Sequence, residues 1–266
     1  MHPPAGARHR QPLGAVAGSD RVLGVLKRLC VHPRGVGLDE LARELELPKS
    51  SLHRALAALR RAGLAEQDER GRYHVSLELV RLALGYYDGL DKRARVEPTL
   101  RALAERFGET VHYGELSGSE IVYVAKIDAV GSNVQMTSSV GGRNPAHCTG
   151  LGKALLAHAL AADGSVERYV ADHGPFAKRT AKTLVEPKEL AAELERTRAR
   201  GYAVDDEESE EGINCIAFPV FLDSPARPSG AISIAALTHR TPLSTLVAAA
   251  DETRAIIDRH LGPVIG

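Results

Sequence analysis

The stretch LDELARELELPKSSLHRALAALRRAGLAEQDERGRYHV, residues 38–75, predicts two short helices followed by a hairpin. Leu41 and Leu45 stand four residues apart, which places both on one face of a first helix. That helix ends before Pro48, because proline disfavours helical geometry in the preceding residue and starts a new helix well. The second helix begins at Pro48, and Gly63 can supply the left-handed residue that ends it.

The second helix separates its apolar side chains from its basic ones. Leu52, Leu56 and Leu59 form a buried stripe. The open faces carry Lys49, Ser50, His53, Arg54, Arg60 and Arg61. After this helix, strands at 64–67 and 72–75 can pair around the turn formed by residues 68–71. Two helices and a basic hairpin are the plan of a winged helix-turn-helix, which places one helix end in the major groove of duplex DNA.

The charge distribution also favours contact with DNA at the N-terminal end. Residues 1–90 carry 14 Lys and Arg against 10 Asp and Glu, a net charge of +4, and the remainder carries 20 against 24, a net charge of −4. A solvated helix face is the alternative, but Ser50 and Ser51 are small hydrogen-bonding residues in the first turn, where a reading helix meets bases and phosphates. The residues expected at the DNA are Lys49, Ser50, Ser51, His53 and Arg54, with Arg70 and Arg72 on the wing.

The chain is 266 residues long, with 44% apolar and 26% charged residues, which suits two soluble domains. Its three cysteines, Cys30, Cys148 and Cys215, have no CxxC spacing, which argues against a zinc finger or a disulfide scaffold and favours a reducing cytoplasm. No apolar run approaches the ~20 residues of a membrane span. Residues 1–18 lack the apolar core of a signal peptide and are expected to form a flexible tail.

The remaining pattern predicts an α+β architecture. A winged helix-turn-helix domain is expected at 19–76, a linker helix at 77–95 and a second domain at 96–266. The apolar side of the linker helix would be covered by a second copy of the chain. In the second domain we expect a mainly antiparallel sheet covered by helices. Its elements include a strand at 133–139, a loop at 140–148, helices starting at 149 and 186, and a last helix at 243–261.

Several motifs in the second half admit more than one interpretation. The run Gly150-Leu151-Gly152-Lys153 lacks the other Walker positions, so it indicates either an anion-binding helix start or close helix packing. The adjacent pair His147-Cys148 is poorly arranged for a catalytic dyad. The acidic run 205–211 lacks EF-hand spacing and is expected to be a solvated loop. No catalytic residue, metal ligand or cofactor site is expected.

The chain resembles the IclR-type bacterial transcriptional regulators from about residue 19 to 263, because several motifs occur in the same order and with the same spacing. The matching segments are LPKSSLHRALAALRRAGL, FGETVHYGEL, GGRNPAHCTGLGKALLA, RARGYAVDDEESEEGINCIAFPVF and GAISIAAL. The resemblance implies a winged helix-turn-helix, a linker helix and a GAF/profilin-like effector domain. It also implies dimers or tetramers on near-palindromic operators of double-stranded DNA, and a small-molecule effector, commonly an organic acid.

Carried across by position, the resemblance implies that the effector contacts Met136, Gly150, Leu151, Asp205, Cys215 and Ser233. The chain departs from the carboxylate-binding pattern at Ala235, where a serine is usual, and at Asn133, where an apolar residue is usual. The missing hydroxyl at Ala235 removes one donor near the ligand, so the identity of the acid does not carry over, and Asn133 suggests a different, more hydroxylated ligand. The expected function is an effector-responsive regulator, a repressor of a catabolic operon that senses a small carboxylate or sugar acid. The alternatives are a thiol or metal sensor, and an enzyme that turns over its ligand.

Overall fold

The computed structural model describes residues 18–88, 91–129, 138–162 and 164–262, and the chain divides into two compact units between residues 90 and 91. The first unit consists of α1 (Gly18–Leu29), α2 (Leu38–Glu44), α3 (Lys49–Arg61), β1 (Ala65–Gln67), β2 (Tyr73–Val75) and α4 (Leu77–Asp88). The strands β1 and β2 pair antiparallel, with Ala65 opposite Val75. The winged helix-turn-helix expected from the sequence is therefore present.

The core of the first unit is the apolar stripe that the sequence predicts. Leu41, Leu52, Leu56 and Leu59 are buried together with residues of α1 and the wing. By contrast, α4 exposes large apolar side chains on two sides of the helix, with Leu77, Val80 and Leu84 on one side and Leu82 and Tyr86 on the other. No helix in the described part of the chain is long and apolar enough to cross a membrane.

The second unit begins with α5 (Asp91–Phe107) and is built around a six-stranded sheet. Its other elements are β3 (Thr110–Ser117), β4 (Glu120–Ile127), β5 (Arg143–Pro145), α6 (Gly150–Ala159), α7 (Ser165–His173), α8 (Pro187–Arg200), β6 (Ala203–Asp206), β7 (Ile213–Val220), β8 (Gly230–Leu237), α9 (Leu243–Ala248) and α10 (Ala250–Leu261). The strand order is β5-β4-β3-β8-β7-β6, and each neighbouring pair is antiparallel.

The two faces of this sheet carry side chains of different size. Because side chains alternate along a strand, Ile216 and Phe218 of β7 pack with α5 and α10. The opposite face of the same strands carries small side chains, including Ala217 of β7 and Ala231 of β8, and packs with α6 and α8. The small side chains let α6 approach the sheet closely, and the candidate ligand site lies on this face.

Four segments differ from the sequence-based expectation. The predicted loop at 140–148 contains the short strand β5, which pairs with β4, and a 3₁₀ turn at Ala146–Cys148. Helix α7 was not predicted, and the last helix is divided at Ala249. Helix α4 ends at Asp88, and the helix that begins at Asp91, α5, belongs to the second unit. Residues 91–95 of the expected linker therefore lie in α5. The predicted tail (up to residue 17) and most of the predicted strand at 133–139 lie outside the described residues.

Candidate DNA-binding surface and ligand cavity

The start of α3 presents the side chains expected at the DNA. Lys49, Ser50, His53 and Arg54 are exposed, and Ser51 is half-buried. No side chain caps the helix start at Pro48, so its first amide N–H groups are available to phosphate oxygens. The Nζ of Lys49 lies 2.8 Å from Oδ1 of Asp39, and both side chains are exposed. An exposed ion pair is weak enough for phosphate to replace the carboxylate.

The wing turn is held in shape by one carboxylate. Oδ1 of Asp68 accepts hydrogen bonds from the backbone N–H groups of Arg70 (3.0 Å) and Arg72 (2.8 Å). Hydrogen bonding from His74, and then from these amides, holds the pKa of Asp68 below its ordinary value. The two wing arginines differ: Arg70 is exposed, whereas Nη2 of Arg72 donates to the carbonyl of Gly35 at 2.6 Å. Arg72 therefore ties the wing to the loop before α2.

The register of the sheet brings the residues expected at the effector into one row. Asp205 of β6 lies opposite Cys215 of β7, and Cys215 lies opposite Ala235 of β8. In the next row, Ser233 of β8 pairs with His112 of β3. Together with the first turn of α6, these residues line one cavity, which contains six of the eight expected positions: Gly150, Leu151, Asp205, Cys215, Ser233 and Ala235. The other two, Asn133 and Met136, lie outside the described residues.

The cavity also contains residues that the sequence analysis missed: His112, Tyr123, Ser138, Asn144, Thr149, Ser209, Glu210 and Ile213. His112 Nε2 lies 2.8 Å from Ser138 Oγ, and Tyr123 Oη accepts a hydrogen bond from Asn144 Nδ2 at 3.0 Å. Burial lowers the pKa of His112 to about 3, so its imidazole is neutral. The sequence signal for His112 was a histidine within a strand-like stretch, TVHYGELS, whereas the position of Asn144 depends on the pairing of β5 with β4.

The two interpretations of the glycine run apply to different glycines. A Cβ atom at Gly152 would overlap the backbone of Ala146, so that glycine allows close packing. A Cβ atom at Gly150 would instead overlap Sγ of Cys215, at the edge of the cavity. Thr149 caps the helix, since its Oγ1 accepts a hydrogen bond from the Gly152 amide at 3.2 Å. Because Thr149, Gly150 and Leu151 all line the cavity, the positive end of α6 faces it.

A buried ion pair lies behind the cavity and corrects the expectation that residues 205–211 are solvated. Lys153 is 0% exposed and its Nζ donates to Oε1 of Glu208. Asp205 is 4% exposed, and its Oδ1 accepts hydrogen bonds from the backbone N–H groups of Glu208 (2.8 Å) and Ser209 (3.3 Å). The sequence analysis treated the acidic run as one segment, but Asp205 ends a strand and Glu208 folds inward toward Lys153.

Burial shifts the carboxyl groups of this cluster toward their neutral forms. It raises the pKa of Asp205 to about 7, although the charge of Lys153 opposes the shift. It also raises the pKa of Glu208 against the same opposing charge. The thiols behave similarly: burial raises the pKa of Cys148 to about 12 and raises that of Cys215 as well. Both thiols are therefore protonated and poor nucleophiles.

Comparisons with known proteins agree across both units. A family model described as the IclR helix-turn-helix domain matches residues 19–69, and one described as the C-terminal domain of the bacterial transcriptional regulator IclR matches residues 84–256. The chain is 34% identical to the HTH-type transcriptional regulator KdgR of Dickeya chrysanthemi, over 80% of this chain and 68% of that protein. It is 35% identical to the glycerol operon regulatory protein of Streptomyces coelicolor, over 91% of this chain and 95% of that protein.

A solved structure shows the same arrangement of elements. The crystal structure of the Thermotoga maritima IclR aligns with a TM-score of 0.68 and 26% sequence identity, and the alignment covers 92% of this chain and 98% of that one. The α+β architecture expected from the sequence, with a helix-turn-helix domain followed by a C-terminal domain, is thereby confirmed.

Proposed function

The chain belongs to the IclR family of DNA-binding bacterial transcriptional regulators, and on that premise we propose that it is an effector-responsive repressor of a catabolic operon. One observation carries the proposal: the positive end of α6 opens on a polar cavity between Gly150, Asp205 and Ser233. Helix N-termini bind carboxylates and other small anions. A cavity of this chemistry suits a small metabolite rather than a macromolecule.

The proposed effector is a small carboxylate or sugar acid. Its carboxylate would be held by the amides at the start of α6 and by the Ser233 hydroxyl. Ala235 offers no hydroxyl where the related pattern has a serine, so a hydroxylated ligand would have to use other partners. Tyr123, Asn144 and Asp205 line the same cavity and can exchange hydrogen bonds with ligand hydroxyls.

The proposed DNA contacts are Lys49, Ser50, Ser51, His53 and Arg54 in the major groove, with Arg70 on phosphate. Arg72 is likewise proposed to support phosphate binding, with the guanidinium donors that remain after Nη2 has bonded the Gly35 carbonyl. The proposed contact with a second copy of the chain is the apolar side of α4 that carries Leu79, Leu82, Ala83 and Tyr86, of which Leu82 and Tyr86 are large exposed side chains. A two-fold dimer would place two reading helices on a near-palindromic operator.

The proposed regulator senses its ligand without converting it. The buried thiols of Cys148 and Cys215 are protonated, which disfavours both nucleophilic catalysis and thiol sensing at this site. Within the described residues no cluster of His, Cys, Asp and Glu has the geometry of a metal site. Mass spectrometry of a bound ligand before and after incubation would detect turnover.

Fluorescence anisotropy tests the proposal. DNA from upstream of the gene encoding the protein is titrated with protein at two salt concentrations, with random duplex as competitor, and small carboxylates and sugar acids are then added. We expect tight, salt-dependent binding that outcompetes random duplex, and release of DNA by at least one acid. An effector-insensitive complex would contradict the proposed ligand class. A folded protein that prefers none of the genomic fragments to random duplex would contradict the proposed operator contacts.

A further inference from the structure

The ligand cavity combines an anion-binding helix end with a lining that lacks a cation. None of the described residues that line it is a lysine or an arginine. Residues 130–137, which the structure does not describe, read VGSNVQMT and contain no ionisable side chain. The titratable side chains in the described lining are His112, Tyr123, Asp205, Glu210 and Cys215. Two cations border this lining and are already bonded: Lys126 Nζ donates to the Ser138 carbonyl and lies 2.8 Å from Oδ1 of Asp128, and Arg179 Nε donates to the Ser209 carbonyl. Because His112 is neutral, an ionised Asp205 would repel an incoming carboxylate.

The nearest buried cation is already used. Lys153 is fully buried and bonded to Glu208, and Asp205 accepts the backbone N–H of Glu208. Two carboxyl groups thus share one ammonium. If both carboxyl groups were ionised, the cluster would carry one unbalanced negative charge, which is costly in a buried site. One proton removes the imbalance. Asp205 is the group that takes the proton, because Glu208 is bonded directly to the ammonium.

We propose that the cavity binds a small monocarboxylate together with one proton, which is carried by Asp205. The proton comes from solvent, and no covalent bond to the ligand forms or breaks. Oδ1 of Asp205 keeps its two backbone donors, and the protonated Oδ2 donates to the ligand carboxylate. The inference rests on the effector site of the proposed function and specifies the protonation state in which that site works.

The groups around Asp205 act on its pKa in both directions: burial and the charge of Glu208 raise it, whereas Lys153 and the hydrogen bonds from the backbone N–H groups of Glu208 and Ser209 lower it. The titratable groups that face it are Lys153 of α6, Glu208 and Glu210 of the following loop, Cys215 of β7, Tyr123 of β4, His112 of β3 and Cys148 of the 3₁₀ turn. Lys153 is the only one of these that is cationic at neutral pH. Burial outweighs its effect and raises the pKa of Asp205 to about 7.

The pH dependence follows from this pKa. Below about pH 7 Asp205 already holds its proton, so the affinity for an acid should be flat. Above it, the proton must be taken up with the ligand, and the affinity falls by up to about tenfold per pH unit. A neutral ligand such as glycerol would show no such loss.

Isothermal titration calorimetry on the full-length protein measures this linkage directly. Acetate, glycerate and gluconate are titrated at about pH 6, 7.5 and 8.5, with two buffers of different ionisation enthalpy at each pH, so that the proton count is obtained independently of the affinity. We expect uptake of close to one proton at the highest pH and about tenfold weaker binding than at pH ~7.5.

The variant Asp205→Asn gives a second test, in which we expect tighter rather than weaker ligand binding at high pH. Asparagine keeps the size and the acceptor for the two backbone amides, and its Nδ2 donates at every pH. We expect it to bind the same acid with an affinity that no longer depends on pH and exceeds the wild-type affinity at pH ~8.5. The matched control is Asp206→Asn. The carboxylate of Asp206 lies 3.0 Å from Lys182 Nζ outside the cavity, and this variant should keep the wild-type profile.

The outcomes separate this inference from the proposed function. Wild-type affinity that is constant from about pH 6 to 8.5, with no proton uptake, overturns the protonated Asp205 and leaves the effector site intact. Failure of all three acids to bind at any pH, with normal operator binding, overturns the effector class itself. Glycerol that binds more tightly as the pH rises would show Asp205 acting as an ionised acceptor, which also overturns the inference.

Discussion

Gly150 faces the thiol of Cys215 so closely that a Cβ atom at position 150 would overlap Sγ. The same hypothetical Cβ would lie 3.3 Å from Cβ of Ala217 and 3.8 Å from Cβ of Asp205. The first turn of α6 therefore packs directly against the side chains of β6 and β7. This contact brings the positive end of the helix to the carboxyl group of Asp205.

Substitution of Gly150 should disable the effector response and spare the DNA. A side chain at this position must displace Cys215 into the cavity or lift α6 from the sheet, because its Cβ would overlap Sγ. Overpacking of this kind costs about 1–3 kcal/mol in the free energy of unfolding. We expect Gly150→Val to bind operator DNA with wild-type affinity and to ignore the effector. Anisotropy with and without the effector measures both properties, and a preserved response would place the effector elsewhere.

Removing the thiol provides the control for this contact. Gly150→Ala should lower the free energy of unfolding, and Gly150→Ala combined with Cys215→Ala should recover part of the loss, because the overlapping atom is gone. The coupling between the two positions should be about 0.5–3 kcal/mol in a double-mutant cycle measured by urea unfolding. Strict additivity of the two changes would contradict the contact.

Arg54 should discriminate between DNA sequences. If its guanidinium reads a base, Arg54→Ala weakens the operator complex by about 1–3 kcal/mol and changes random-duplex binding much less. Arg61 is an exposed arginine in the last turn of the same helix, so Arg61→Ala removes the same charge away from the reading end. Competition anisotropy compares the two variants. Equal losses on operator and random duplex for Arg54→Ala would assign it to phosphate binding.

The buried pair of Lys153 and Glu208 should be sensitive to loss of one partner. Lys153→Met leaves Glu208 buried without a counter-charge, so we expect a loss of about 3–5 kcal/mol in the free energy of unfolding. Adding Glu208→Gln should return part of it. Arg106 and Glu252 form the surface comparison, with Nε and Oε1 2.6 Å apart, and Arg106→Ala should cost less than about 1 kcal/mol. Similar losses in both pairs would contradict the burial of Lys153.

His112 should make the effector unit less stable in acid. Its pKa is about 3 in the folded chain against an ordinary value of 6.5, so the unfolded chain binds a proton first as the pH falls. The free energy of unfolding then decreases between about pH 6.5 and 3, by up to about 1.4 kcal/mol per pH unit. His112→Gln should remove this part of the slope in urea unfolding at several pH values. An unchanged slope would mean that His112 is accessible to protons in the fold.

Asp205 should contribute the opposite slope. Its pKa rises from 3.8 to about 7 on folding, so its contribution is fully present below pH ~3.8 and is lost as the pH rises through about 7. Asp205→Asn should therefore change the pH profile of stability in the opposite direction to His112→Gln. The same sign in both variants would contradict one of the two protonation states.

Local sequence patterns were sufficient for the first unit. The stripe Leu52, Leu56 and Leu59, the break at Pro48 and the turn around Gly71 are interactions between residues close in sequence, so periodicity and turn chemistry determine them. The same holds for α8, which begins at Pro187 and ends before Gly201. Short elements of the second unit were harder to predict from local patterns, because β5 is three residues long and pairs with β4, a strand distant from it in sequence.

The sequence by itself determined the two-part organisation and the helix α3 with its basic residues, and it predicted which positions face the ligand. Only the tertiary structure decided which of these residues meet: the register of β6, β7 and β8 aligns Asp205 with Cys215 and Ala235. It also buried Lys153 against Glu208 across 55 positions of the chain. The physical reason is that burial and long-range pairing fix the electrostatics of a site, and neither can be obtained from the local spacing of residues.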